Sequence, residues 1–130
     1  MPLVEVAAAL IRDERGRYLI ARRAAEAPHG GLWEFPGGKR EPDESLEECL
    51  RRELAEELGA SFRVGERVEV VVWPESDPMI ALSFYRCLHE HGAIEARAAQ
   101  AVAWVEPARL VDYDFPPADR ALIDRLRAAE

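Results

Sequence analysis

With 130 residues, 48% of them hydrophobic, the chain has the size of one compact domain, and a single domain over residues 1–130 is expected. Its formal charge of −8 argues against a surface that tracks a nucleic-acid backbone, which needs clustered Lys and Arg; a free small nucleotide carrying its own divalent cations escapes that objection. Two cysteines, Cys49 and Cys87, each inside an apolar-periodic segment, indicate neither a disulfide framework nor a zinc site. With no basic region and apolar run at the start and no membrane-length stretch, they point to a cytoplasmic protein without a membrane partner.

Leu3 to Ile11 is rich in Val, Ala, Leu and Ile and reads as a buried strand. Asp13-Glu14-Arg15-Gly16 is turn chemistry, so Arg17 to Arg22 is expected to form a hairpin with that first strand. Ala24 to Gly31 lacks a period and holds Pro28, Gly30 and Gly31, which makes it a loop; Trp33 to Phe35 reads as a short strand entering Pro36-Gly37-Gly38. Ser45 opens a helix, with Glu48 at capping-box spacing and Gly59 as its stop. Arg67 to Trp73 and Met79 to Leu88 are strands on either side of a turn at residues 74–78, and Ala101 to Val105 is a shorter one. A last helix runs from about Pro117 to Ala128, burying Leu122, Ile123 and Leu126. Strands mixed with one central and one terminal helix predict an α/β sandwich with a mixed sheet.

The central helix carries the chemistry. At about 100° per residue, Leu46, Cys49, Leu50, Leu54 and Leu58 form an apolar stripe that must face the sheet. Glu53 and Glu57 fall inside that stripe, Glu56 sits at its edge and Arg52 lies a little further round. Two carboxylates one turn apart on a buried face repel each other and are costly to desolvate, so a cation is expected there. Mg²⁺ is the natural candidate, because it takes oxygen ligands, keeps part of its water and bridges carboxylates to phosphates. Solvated ion pairs are the ordinary reading of helix glutamates and suit Glu41, Glu47 and Glu48; the stripe position makes that reading unsuitable for Glu53 and Glu57.

Gly38, five residues, Glu44, seven residues, then Arg52-Glu53-Leu54-Ala55-Glu56-Glu57-Leu58-Gly59-Ala60 is similar to the Nudix box of the Nudix hydrolases. Only the last specified site departs, with Ala60 where Ile, Leu or Val is usual. Trp33-Glu34-Phe35-Pro36-Gly37-Gly38-Lys39, the pair Arg22-Arg23 and Asp114-Phe115-Pro116-Pro117-Ala118-Asp119 resemble the MutT branch, which sanitises nucleotide pools in the service of DNA repair. The resemblance implies a Nudix-type α/β/α sandwich and hydrolysis of a nucleoside triphosphate to a monophosphate and pyrophosphate, by water attack at the β-phosphorus. It implies Mg²⁺, with Mn²⁺ as a substitute, held by Glu53, Glu56, Glu57 and the Gly38 carbonyl, Glu56 alternatively orienting the catalytic water. Glu53 or Glu56 would complete the deprotonation, Glu44 would reach back toward the site, and Arg52 would hold the carboxylates through ion pairs. Arg23 would contact phosphate, and Phe35 and Asp119 would line the base pocket. Taken alone, Arg23 reads equally as a strand-end surface arginine and Phe35 as core. Glycines at 37 and 38 make independent sense where backbone oxygens must approach an ion closely.

Two positions depart from the branch. Ala98 stands two residues before Gln100, where a further glutamate is common. Asp119 replaces an asparagine; an ionised carboxylate only accepts hydrogen bonds, which suits the amino group of cytosine or guanine, whereas it must be protonated to meet a carbonyl. The substrate expectation therefore covers 8-oxo-dGTP first, with CTP or modified dCTP as the alternative, then an ADP-ribose-type substrate, for which Pro74 is thin support. A Nudix-fold module that binds nucleotides without cutting them is the competing class, supported by Ala98 and opposed by the complete box. His89 and His91 read as solvated strand-end histidines before they read as ligands, and Trp73 and Trp104 as core or rim. A small nucleotide is the expected partner; a monomer and a dimer are equally compatible with the sequence.

Overall fold

A computed structural model describes residues 3–27, 30–73, 78–97, 99 and 101–129. The elements in chain order are β1 (Leu3–Ile11), β2 (Tyr18–Arg22), β3 (Trp33–Glu34), β4 (Gly37–Lys39), α1 (Leu46–Leu58), β5 (Ser61–Trp73), β6 (Met79–His91), β7 (Ala101–Val105) and α2 (Arg120–Ala128). Short 3₁₀ turns at Pro107–Asp112 and Pro117–Asp119 precede α2. One sheet has the order β4-β1-β6-β5 and the other β3-β2-β7. The first is mixed, as expected, because β1 runs parallel to β6 while β4 and β5 pair antiparallel to their neighbours.

Alternation along β1 builds two cores, which explains why the strand is almost continuously apolar. Ala7, Ala9 and Ile11 face one way and pack with Cys49, Leu50, Leu54 and Leu58 of α1 and with Tyr85 and Cys87 of β6. Ala8 and Leu10 face the other way, toward Phe35, Phe84, Leu110 and the α2 residues Leu122 and Ile123. Both cysteines are buried and free. Among the described residues no helix is long and apolar enough to cross a membrane.

The expected β1–β2 hairpin is not formed. The turn itself is present, with the Gly16 amide on the Asp13 carbonyl at 3.0 Å and Gly16 at φ +78°, yet β1 and β2 enter different sheets and share only an Arg12–Tyr18 bridge. Both edges of β1 are already taken, by β4 and β6, so β2 has no free edge to join. Three boundaries also move. β2 begins at Tyr18, β5 begins at Ser61 instead of Arg67, and β6 runs to His91 through a register broken between Val64, Arg67 and Glu69. Phe35 lies just past β3. The final helix begins as 3₁₀ at Pro117 and becomes α at Arg120; Leu122 and Ile123 are buried as expected, and Leu126 is half-buried. Pro74 and Ala98 lie outside the described residues.

Candidate metal and nucleotide site

The helix that carries the glutamates is fixed at both ends by local chemistry. Ser45 Oγ accepts the Glu48 amide at 3.0 Å and Glu48 Oε1 accepts the Ser45 amide at 2.8 Å, the reciprocal pair the spacing predicts. At the other end Gly59 adopts φ +68° and its amide reaches the Ala55 carbonyl. The segment after β6 then closes over this end: the Glu95 amide takes the Leu58 carbonyl at 2.8 Å and the Arg97 amide takes the Glu57 carbonyl at 2.9 Å.

Between these ends the apolar stripe turns Glu57 inward. Glu57 is only 7% exposed, and its Oε1 has no hydrogen-bond partner. Burial pushes its carboxyl up to about 8, and the Glu34 charge adds to that; a bond from the Gly37 amide opposes them. Glu53, half-buried, is raised by burial against the pull of Arg52. A Cβ at Gly37 would strike the Ala7 carbonyl, so close backbone approach requires glycine there, whereas one at Gly38 would meet the Glu53 carboxylate, which would have to move aside.

Arg52 ties the acids together. Its Nε and Nη2 fork onto Glu44 at 3.0 and 2.6 Å, its Nη1 reaches Glu53 at 3.2 Å and Glu56 at 3.3 Å, and Nη2 also donates to the Lys39 carbonyl. Hydrogen bonds from Arg52 hold the Glu44 carboxyl down to about 2. Glu44 is thus a buttress, while Glu56 stays exposed to solvent. Cys49, its thiol pushed up to about 11 chiefly by burial, points at the Gly38 carbonyl from 3.6 Å.

A divalent ion fits this constellation on the strength of the orphaned Glu57 oxygen and the Gly38 cradle. Among the described residues no three His, Cys, Asp or Glu donors form a closed cage. Mg²⁺ does not require such a cage, since it commonly takes one or two carboxylates and fills its remaining positions with water and substrate phosphate. Glu53, Glu57 and the Gly38 carbonyl could hold it, with Glu56 nearby through Arg52.

Beside the glutamates stands a residue that sequence reasoning passed over. Glu34, on β3, pairs with Arg23 at 3.0 Å, and after burial its charge helps raise the carboxyls of both Glu57 and Asp119. Its signal was an acid in a two-residue strand between Trp33 and Phe35, immediately ahead of the paired glycines. Asp119 is 5% exposed, and burial, with Glu34 second, raises it to about 7. Phe35 is buried among Tyr18, Phe84 and Phe115, the last at 5.3 Å between ring centroids, so its contacts are those of a core residue. Arg23 is engaged by Glu34. His89 turns to the Gly92 carbonyl and lies tilted against Phe62, a structural arrangement. Trp104 packs against the first core.

A family model described as NUDIX domain matches residues 1–126. A CTP pyrophosphohydrolase of Escherichia coli K12 is 41% identical over 128 residues, covering 98% of this chain and 94% of the relative. An 8-oxo-dGTP diphosphatase of the same organism is 33% identical over 127 residues, covering 98% of each. Among solved structures, the E. coli ORF135 protein superposes with a TM-score of 0.80 at 39% identity, covering 100% of this chain and 94% of that one. A MutT protein from Methanosarcina mazei gives 0.84 at 26%, covering 98% and 95%. With a family match over nearly the whole chain and full-length relatives on the same fold, the chain belongs to the Nudix hydrolase family.

Proposed function

We propose that the chain is a Mg²⁺-dependent nucleoside triphosphate pyrophosphohydrolase that clears oxidised or modified nucleotides such as 8-oxo-dGTP. The observation that carries this reading is Glu57, a carboxylate sequestered beside Glu53 with one oxygen lacking any partner in the protein. Water oxygen bonds to the β-phosphorus, the bridging oxygen leaves with the α-phosphate, and the products are a nucleoside monophosphate and pyrophosphate. When bound, Mg²⁺, or Mn²⁺ in its place, neutralises phosphate charge and makes water a better nucleophile. Glu53 and Glu57, with the Gly38 carbonyl, hold the ion, and Glu56 binds or orients at the solvent side. Glu53 or Glu56 accepts the proton of the attacking water. Arg52, itself clamped by Glu44, keeps the two in register. Arg23, steadied by Glu34, meets the phosphates, and Asp119 meets the base, with Phe35 in the core behind.

A second base class is favoured by one residue. Asp119 above pH 7 is a pure acceptor and suits the amino group of CTP or a modified dCTP, in line with the relative named CTP pyrophosphohydrolase. Protonated, it donates, and then suits a purine carbonyl. Turnover is tested with purified protein and Mg²⁺ on 8-oxo-dGTP, dGTP, CTP, 5-methyl-dCTP, ADP-ribose and a dinucleoside polyphosphate, ranked by specificity constant. Pyrophosphate release from a triphosphate is expected. Preference for ADP-ribose would overturn the substrate class, and binding with no turnover on any member would favour a recognition module.

A further inference from the structure

Arg40 belongs to neither the glutamate cluster nor the specified positions of the box; it falls among the free residues between Gly38 and Glu44. It nevertheless organises that whole interval. Its amide takes the Glu5 carbonyl at 2.9 Å and its Nε takes the Glu5 carboxylate at 2.7 Å, which anchors it to β1. From that anchor its Nη1 reaches three main-chain carbonyls, Glu41 at 3.2 Å, Pro42 at 3.4 Å and Glu44 at 3.0 Å. Three carbonyl dipoles pointing at one spot repel one another unless a cation sits among them, so the guanidinium sets the shape of the loop. The loop ends at Glu44, whose side chain is further held by the Glu41 amide at 2.9 Å and forks with Arg52.

We infer, resting on the metal-site reading above, that Arg40 is a positioning residue for the metal carboxylates, acting through Glu44 and Arg52. The path is continuous: Glu5 fixes Arg40, Arg40 fixes the backbone of Glu44, Glu44 fixes Arg52, and Arg52 fixes Glu53 and Glu56. Arg40 contacts neither Glu53 nor Glu56 and has no role in the chemistry itself.

The test is a double-mutant cycle of Arg40→Ala and Glu44→Gln, read by Mn²⁺ binding in electron paramagnetic resonance, together with hydrogen exchange at the Arg52 Nε–H in the metal-free protein by ¹⁵N NMR. Arg40→Ala should weaken Mn²⁺ binding about tenfold, the low end for outer partners of metal ligands. On a Glu44→Gln background the same change should cost no more than about twofold. Exchange at Arg52 should quicken in Arg40→Ala, which a purely stabilising role would not cause in a folded protein. Wild-type affinity and unchanged exchange in Arg40→Ala, or penalties that multiply fully across the cycle, would overturn the inference. Should Arg40→Ala not fold, Glu5→Gln, which frees the anchor and keeps the guanidinium, must show the same two changes at smaller size or the inference fails. If the wild type binds no Mn²⁺ while exchange still responds to Arg40, the metal reading falls and the Arg40–Glu44–Arg52 latch stands.

Discussion

On the proposed reading, base choice turns on Asp119, and its environment would make that choice depend on pH. Its folded carboxyl titrates at about 7 against 3.8 for the ordinary group, because burial and the Glu34 charge, itself paired with Arg23, disfavour ionisation. The folded state therefore keeps a proton that the unfolded chain has lost. The stability contributed by this group is whole below pH 3.8 and disappears as pH rises to about 7. Asp119→Asn should be more stable than the wild type at pH 8 and close to it at pH 4, read from urea midpoints; an equal offset at both pH values would contradict the burial. The same variant should shift the ratio of specificity constants from CTP toward 8-oxo-dGTP while leaving the metal requirement unchanged. At the other end of the site, Glu53→Gln should lose about 10²-fold or more in turnover with native circular dichroism. Near-normal turnover would remove Glu53 from the metal. Of these residues, Glu57 was readable because one helix alone sets its direction. Glu34 was not, since its importance comes from Glu57 and Asp119, which are distant in sequence.

At the scale of elements, α1 separates stability from function. Ser45→Ala should cost about 1 kcal/mol of unfolding free energy, the usual price of a cap, while turnover measured well below the melting range stays close to wild type. Paired substitutions in β4 should divide the two properties the other way. At Gly38 a new Cβ meets the movable end of Glu53, so Gly38→Ala should inactivate the protein with little change in unfolding midpoint; at Gly37 it meets the Ala7 backbone, so Gly37→Ala should lower the midpoint as well. Equal midpoints for the two variants would refute the close approach to Ala7. The helix was legible from sequence down to its caps because capping and periodicity are local. The hairpin was misread because its turn chemistry is also local, while the partners of β1 are settled by a competition among β2, β4 and β6 that no nearby residue encodes. The early start of β5 was hidden by Arg63, Gly65 and Glu66: Arg63 pairs with Leu88 of β6, and Gly65 and Glu66 fall in the register break between Val64 and Arg67.

At the scale of the whole molecule, the site is a standing cost to the fold. Glu57 puts a carboxylate with an unpartnered oxygen beneath the core-facing side of α1, and a neutral amide of the same shape is cheaper to bury. In EDTA above pH 8, where the Glu57 carboxyl is ionised, Glu57→Gln should therefore melt at the same temperature as the wild type or higher, a case of stability given up for function. Mg²⁺ should reverse that order. An ion that binds only the folded state adds RT ln(1 + [Mg²⁺]/Kd), about 1.4 kcal/mol at ten times Kd, or roughly 5 °C for a domain of this size. The wild type should show that rise in a calorimetric melt, and Glu57→Gln should show little of it. An equal rise in both proteins would place the ion elsewhere. A wild type that melts higher than Glu57→Gln in EDTA would mean that the orphaned Glu57 Oε1 is already compensated within the protein, and the reason for putting a cation beneath α1 would be gone.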